Sequence, residues 1–129
     1  MSLSRSKRFA LALAGAAVLT LGGAGIASAG TDGGAVYNPT GGSLVWFKSY
    51  GDHIWVKDTE ADGHSAVGWS YVPYDGVNTT NWVTSGNGDS GDFNYDFTEG
   101  AYVYYKACVG ESGTGDYFSC NSSWYYGIA

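Results

Sequence analysis

Three carboxylates at alternate positions, Asp58, Glu60 and Asp62, stand before Gly63 and fill the first, third, fifth and sixth places of a calcium-loop pattern. Such a loop gathers oxygen ligands two residues apart and uses the glycine for its sharp turn. Its twelfth place, where a bidentate Glu closes the shell, holds Trp69. The expectation is no cofactor or at most weak calcium binding, the plainer reading being a solvated hairpin turn held by Asx hydrogen bonds. A second polar run, Asn87, Asp89, Asp92, Asn94 and Asp96, has no second copy of its period and reads as loop and wet strand face. His53 and His64 could serve a hydrolytic triad, but there is no Gly-x-Ser-x-Gly elbow. Gly63-His64-Ser65 sets its His and Ser on opposite faces of a strand, where they cannot act as base and nucleophile. No catalytic residue is assigned, and the chain is expected not to be an enzyme.

Cys108 and Cys120 are the only cysteines, so one pairing exists. Neither Cys-x-x-Cys spacing nor a nearby His points to a metal site, and a structural disulfide is expected. It closes a short loop, which the chain-entropy description values at about 3 kcal/mol.

Aromatic side chains are the third candidate. All five Trp, all eleven Tyr and four of the five Phe follow residue 30. Runs such as Trp124-Tyr125-Tyr126, Tyr104-Tyr105 and Trp46-Phe47 force neighbouring rings onto opposite faces of a strand. Some rings must then be exposed, where they can stack on sugars or anchor a protein. The other reading is cross-strand packing of half-buried Tyr in a small sandwich. Trp46, Trp55, Tyr105, Trp124 and Tyr126 are the candidate ligand-binding residues.

The elements that position these groups lie within residues 30–129. Residues 1–29 carry Arg5, Lys7 and Arg8, an apolar run from Phe9 to Leu21, and Ala27-Ser28-Ala29, the pattern of a signal peptide cleaved after Ala29. The apolar run is short for a membrane span, which needs ~20 residues. The three other basic residues, Lys48, Lys57 and Lys106, face all twelve acids. That balance disfavours nucleic acid and anionic lipid as partners. The expected location is extracellular.

Residues 30–42 read as an irregular leader with at most a short edge strand, and 43–129 as the domain proper. Leu44 to Ser49 is apolar enough for a strand covered on both faces, and His53 to Asp58 alternates, so the two form a hairpin. His64 to Tyr74 is a long strand that ends at Pro73. Asp75 to Gly91 is polar and reads as a connection with at most one short strand. Phe93, Tyr95 and Phe97 alternate with polar neighbours, and Glu99-Gly100 then leads into Ala101 to Val109, which predicts a second hairpin. Tyr102, just past that turn, suits a tyrosine corner. Tyr117 to Cys120 and Ser123 to Ile128 supply closing strands. The fold class expected is all-β, a small antiparallel β-sandwich of immunoglobulin-like or jelly-roll type with one disulfide.

The segment Asp58-Thr59-Glu60-Ala61-Asp62-Gly63-His64-Ser65-Ala66, with the leader, the late cysteines and Trp124, resembles small secreted actinobacterial β-sandwich proteins of unassigned function. The resemblance implies secretion and a compact β fold and transfers no catalytic residue. The expected function is a secreted noncatalytic binding or interaction module for an extracellular protein or a polysaccharide surface. A carbohydrate-binding domain is one alternative. An enzyme inhibitor or antimicrobial factor presenting the Glu111–Asp116 loop is the other.

Overall fold

The computed structural model describes residues 30–129, and the expected signal peptide, 1–29, lies outside the described residues. Nine strands follow in order: β1 Gly33–Tyr37, β2 Ser43–Lys48, β3 His53–Asp58, β4 Ser65–Val72, β5 Val77–Val83, β6 Ser90–Asn94, β7 Tyr102–Glu111, β8 Asp116–Phe118 and β9 Tyr125–Ile128. They form two antiparallel sheets packed face to face. One has the order β1-β2-β3-β6; the other has β5-β4-β7, with β8 and β9 sharing the far edge of β7.

Period-two alternation explains which side chains meet between the sheets. Val45 and Phe47 of β2 and Ile54 and Val56 of β3 face Ala66 and Val72 of β4, Val83 of β5, and Val103, Tyr105 and Ala107 of β7. The sheets approach closely at Gly68, where a Cβ would sit 2.6 Å from Val56 Cγ2. Ser70, also fully buried, is satisfied by Asn81, whose side-chain amide donates to its hydroxyl at 3.0 Å.

The Ser49–Asp52 turn joins β2 to β3 as expected, with Gly51 at φ +83° and the Asp52 amide donating to Ser49 O at 3.1 Å. β2 is not covered on both faces. Ser43, Val45 and Phe47 are buried, whereas Leu44 and Trp46 are half-buried and Lys48 is exposed. Continuous apolarity there reflects large side chains on an outer face. Residues 77–83, expected within a long connection, form a full strand paired with β4 from Val72↔Val77 to Ala66↔Val83. Their Asn and Thr side chains suit an edge strand with one wet face.

The second expected hairpin does not form. β6 pairs with β3 in the first sheet, and β7 lies beside β4 in the second. The Tyr95–Gly100 segment crosses between sheets instead. It is held by the Tyr95 amide on Asp52 O and the Phe97 amide on Asp52 Oδ2, both at 2.9 Å, and by Thr98, whose amide and hydroxyl donate to Asp75 at 2.8 and 2.7 Å. Alternation identifies faces but not partners, and a buried carboxylate fixes this crossover.

Residues 30–42 contribute more than a leader. Val36 and Asn38 are buried, and Thr31 exchanges two 2.8 Å backbone hydrogen bonds with Ile128, stitching the sheets along one edge. Between β8 and β9 the chain leaves the sheet for six residues. Asn121 bridges the gap by accepting from the Ala107 amide through Oδ1 at 2.7 Å and donating its own amide to Ala107 O at 3.1 Å. The Cys108–Cys120 disulfide pins the same point.

Candidate functional site

Alternation puts Trp69 and Tyr71 of β4 and Tyr102, Tyr104 and Lys106 of β7 on the outer face of the five-stranded sheet. The pairing Tyr71↔Tyr104 and Trp69↔Lys106 sets them side by side. β9 adds Tyr126, opposite Tyr104. The excursion pinned by the disulfide places Trp124 over Lys106, and β8 brings Tyr117 against Trp69.

The result is a continuous row of seven rings. Ring centroids step from Tyr126 to Tyr102 at 5.3 Å, to Tyr104 at 6.1 Å and to Tyr71 at 6.2 Å. From Tyr71 the row continues to Trp124 at 5.8 Å, Trp69 at 4.9 Å and Tyr117 at 5.6 Å. Tyr126, Tyr102 and Tyr104 form a triangle, closed by the 6.0 Å between Tyr126 and Tyr104, whose planes differ by 50°; the Tyr126–Tyr102, Tyr102–Tyr104 and Tyr104–Tyr71 planes differ by 26°, 29° and 35°. Trp69 and Trp124 stand at 62° to each other and form a raised end. Tyr126 is 54% and Tyr102 47% exposed.

Lys106 is the charged member of this row. Its ammonium lies 4.8 Å from the Trp124 centroid and 5.7 Å from that of Trp69, within cation–π reach of both. The Trp69 indole N–H donates to Asn78 Oδ1 at 2.8 Å, which locks that ring on the sheet. Beside Tyr102 and Tyr104 opens a cleft of roughly 400 Å³, walled by Pro73, Tyr74 and the Thr98–Ala101 turn. Glu99 lies on its wall.

The five ring residues singled out from sequence separate into three places. Trp124 and Tyr126 belong to the row. Trp46 and Trp55 are cross-strand partners on the outer face of the other sheet, with centroids 5.8 Å apart and planes within 3°. Tyr105 is in the core at 0% exposure, a correction to its placement among contact residues. Its parity is opposite to that of Tyr104, and its hydroxyl donates to Gly34 O at 2.5 Å, tying β7 to β1 across the sandwich. Gly33 has no side chain to obstruct that ring. Burial pushes the Tyr105 phenol above the usual tyrosine range, with repulsion from Tyr125 and Asp32 adding to it. Tyr102 is likewise no corner residue, since it stacks on the exterior.

Asp58, Glu60 and Asp62 do not converge into a ligand shell, and among the described residues no three His, Cys, Asp or Glu side chains come together to hold a metal ion. Asp58 is buried at the end of β3 while Glu60 is exposed. Asp58 Oδ1 accepts from the Glu60 amide at 3.2 Å and Asp62 Oδ1 from the His64 amide at 2.9 Å, two Asx turns. Burial raises the Asp58 pKa, and the nearby Asp62 and Asp89 carboxylates push the same way. His53 pairs with Asp92 at 2.6 Å and His64 with Glu111. The His64 ring also meets Phe118 edge-on at 5.2 Å. These pairs hold β3 to β6 and the start of β4 to the end of β7.

Trp69, Tyr71, Tyr102, Tyr104, Tyr117 and Lys106 are not among the contact residues expected from the sequence. The available signal is parity: the alternation in 67–72 and 102–109 already places most of them on outer faces, but only the β4–β7 register unites them. Compared with family models, curated proteins and solved structures, the chain matches none.

Proposed function

We propose that this chain is a noncatalytic extracellular binding module whose contact surface is the outer face of the five-stranded sheet. The observation that carries the reading is the unbroken row of seven Tyr and Trp rings described above. Solvated sheet faces do not ordinarily carry contiguous rings, and exposed aromatic patches mark interaction surfaces. Tyr and Trp add large, stiff contact area with a polar tip for hydrogen bonding. Lys106 and the Trp69–Asn78 bond fix the raised end of the row, so little ordering cost remains on binding.

The extracellular part of the reading rests on the leader pattern of residues 1–29 and on the disulfide, which persists in oxidising compartments. Among the described residues no helix is long and apolar enough to cross a membrane. The excess of acids supports partners other than nucleic acid.

The test is retention of the purified, disulfide-bonded protein on separate columns of immobilised cell-wall polysaccharide and of culture-fluid proteins. Retention is expected on one of them and is expected to be lost in a Tyr104→Ser/Tyr126→Ser variant that still melts cooperatively. Turnover on a hydrolase panel, abolished by His53→Ala or Asp92→Asn, overturns the noncatalytic reading. Equal retention of wild type and double variant overturns the assignment of the face.

A further inference from the structure

Resting on that reading, we infer that the ligand is an uncharged polysaccharide laid along the tyrosine platform, with one sugar unit seated in the cleft between Tyr74 and the Thr98–Ala101 turn. Charge is the first reason. The chain has twelve acids, yet the row contains no carboxylate, and its ammonium is already engaged by two indoles. The chain's excess of acids disfavours an anionic polymer, and Glu99 on the cleft wall is a single carboxylate, too few to hold a polycationic partner along the row.

Side-chain chemistry is the second reason. The exposed groups of the platform are aromatic faces with hydroxyl tips, and the aliphatic residue that shares their face of β4, Val67, is fully buried. A protein interface core combines aromatic anchors with other apolar groups packed as in an interior. A pyranose instead offers flat C–H faces to the rings and hydroxyls around its edge to phenol oxygens. Across the strands the rings of Tyr126, Tyr104 and Tyr71 follow one another at 6.0 and 6.2 Å, with Tyr102 beside the first two, which gives an extended ligand more than one ring to lie on.

The cleft supplies the third reason. It opens beside Tyr102 and Tyr104, so a chain running along the platform enters it directly. Tyr74, 76% exposed, offers another ring, and Glu99 can accept hydrogen bonds from sugar hydroxyls. Its volume of roughly 400 Å³ falls in the range of small-ligand sites, ~300 to 1,000 Å³.

Native affinity electrophoresis of the purified full protein in gels containing hydroxyethylcellulose or glucomannan, both uncharged, and polygalacturonate as the anionic control, tests this. Retardation is expected in at least one uncharged gel and not in polygalacturonate. Tyr104→Ser and Tyr126→Ser are each expected to weaken it about tenfold, Tyr74→Ala to weaken it, and Trp46→Ala to leave it unchanged. Thermal midpoints identify any variant that has lost its fold, and Tyr104→Phe, which keeps the ring, is expected to retain most binding. Migration unchanged in both uncharged gels, or slowed only by polygalacturonate, overturns the proposal. If the protein is then still held by the culture-fluid protein column through Tyr104 and Tyr126, a protein ligand replaces the polysaccharide and the binding face stands. If the face variants bind everything as wild type does, both fall.

Discussion

Tyr104 and Tyr105 are adjacent in the chain and opposite in consequence, and this makes them the most direct probe of the fold. Tyr105→Phe removes the hydroxyl that bonds Gly34 O across the sandwich and leaves the ring in place. Gly34 is exposed, so water can reach its carbonyl once the phenol is gone, and the loss is that of an ordinary hydrogen bond, about 1 kcal/mol. For a domain this size that lowers the melting midpoint by about 4 to 8 °C. Tyr105→Ala removes a fully buried ring and costs about 3 to 5 kcal/mol. Tyr104→Ala removes only a half-buried ring from exterior stacking and costs about 1 kcal/mol.

The ligand response is expected to be inverted, with Tyr105→Phe binding as wild type and Tyr104→Ala impaired. The alkaline limb provides a further check. Burial raises the Tyr105 phenol, so its contribution to stability is complete below the free-tyrosine value, ~10, and is lost as pH rises from there through the higher folded value. Tyr105→Phe flattens that limb. Urea and thermal unfolding of the three variants measure all of this. A Tyr104→Ala loss equal to that of Tyr105→Ala, or impaired binding in Tyr105→Phe, refutes the assignment of faces.

Further outcomes follow from the staple, the crossover and the acidic turn. Cys108→Ala/Cys120→Ala is expected to cost about 3 kcal/mol and to raise hydrogen exchange first at the Ala107 and Asn121 amides; stoichiometric thiol labelling of the unfolded, unreduced wild type contradicts the bond. Asp52 has its pKa raised chiefly by burial, against the Phe97 amide that stabilises its charge. Its contribution is complete below ~3.9 and is lost as pH rises through the raised value, so Asp52→Asn flattens the pH profile of stability above about pH 4; an unchanged profile argues against it. Chelator and micromolar calcium are expected to give the same melting midpoint, with Asp62→Ala, which removes the Asx acceptor of the His64 amide, costing about 1 kcal/mol in both. A calcium-dependent rise lost in Asp62→Asn reverses that expectation.

Much of this protein is legible in its local chemistry. Period-two alternation assigns Ile54 and Val56, Phe93, and Val103 and Ala107 to faces, because a strand's geometry dictates its own two sides. Turn residues mark the β2–β3 connection, and two cysteines admit one bond. The Asx turns at Asp58 and Asp62 follow equally from short-range hydrogen bonding. Partnership is nonlocal, and none of these signals carries it. β6 could pair with β7 by hairpin logic, but Asp52 takes the amides of Tyr95 and Phe97 and sends the chain across to the other sheet. Parity marks Tyr104 and Tyr105 as opposite, but the burial of Tyr105 also depends on β1, where Gly33 leaves room for the ring and Gly34 O receives its hydroxyl. The row of rings likewise exists only through the pairing of β7 with β4, β8 and β9 and the disulfide-held excursion, which bring together rings from residues 69 to 126 that are distant along the chain.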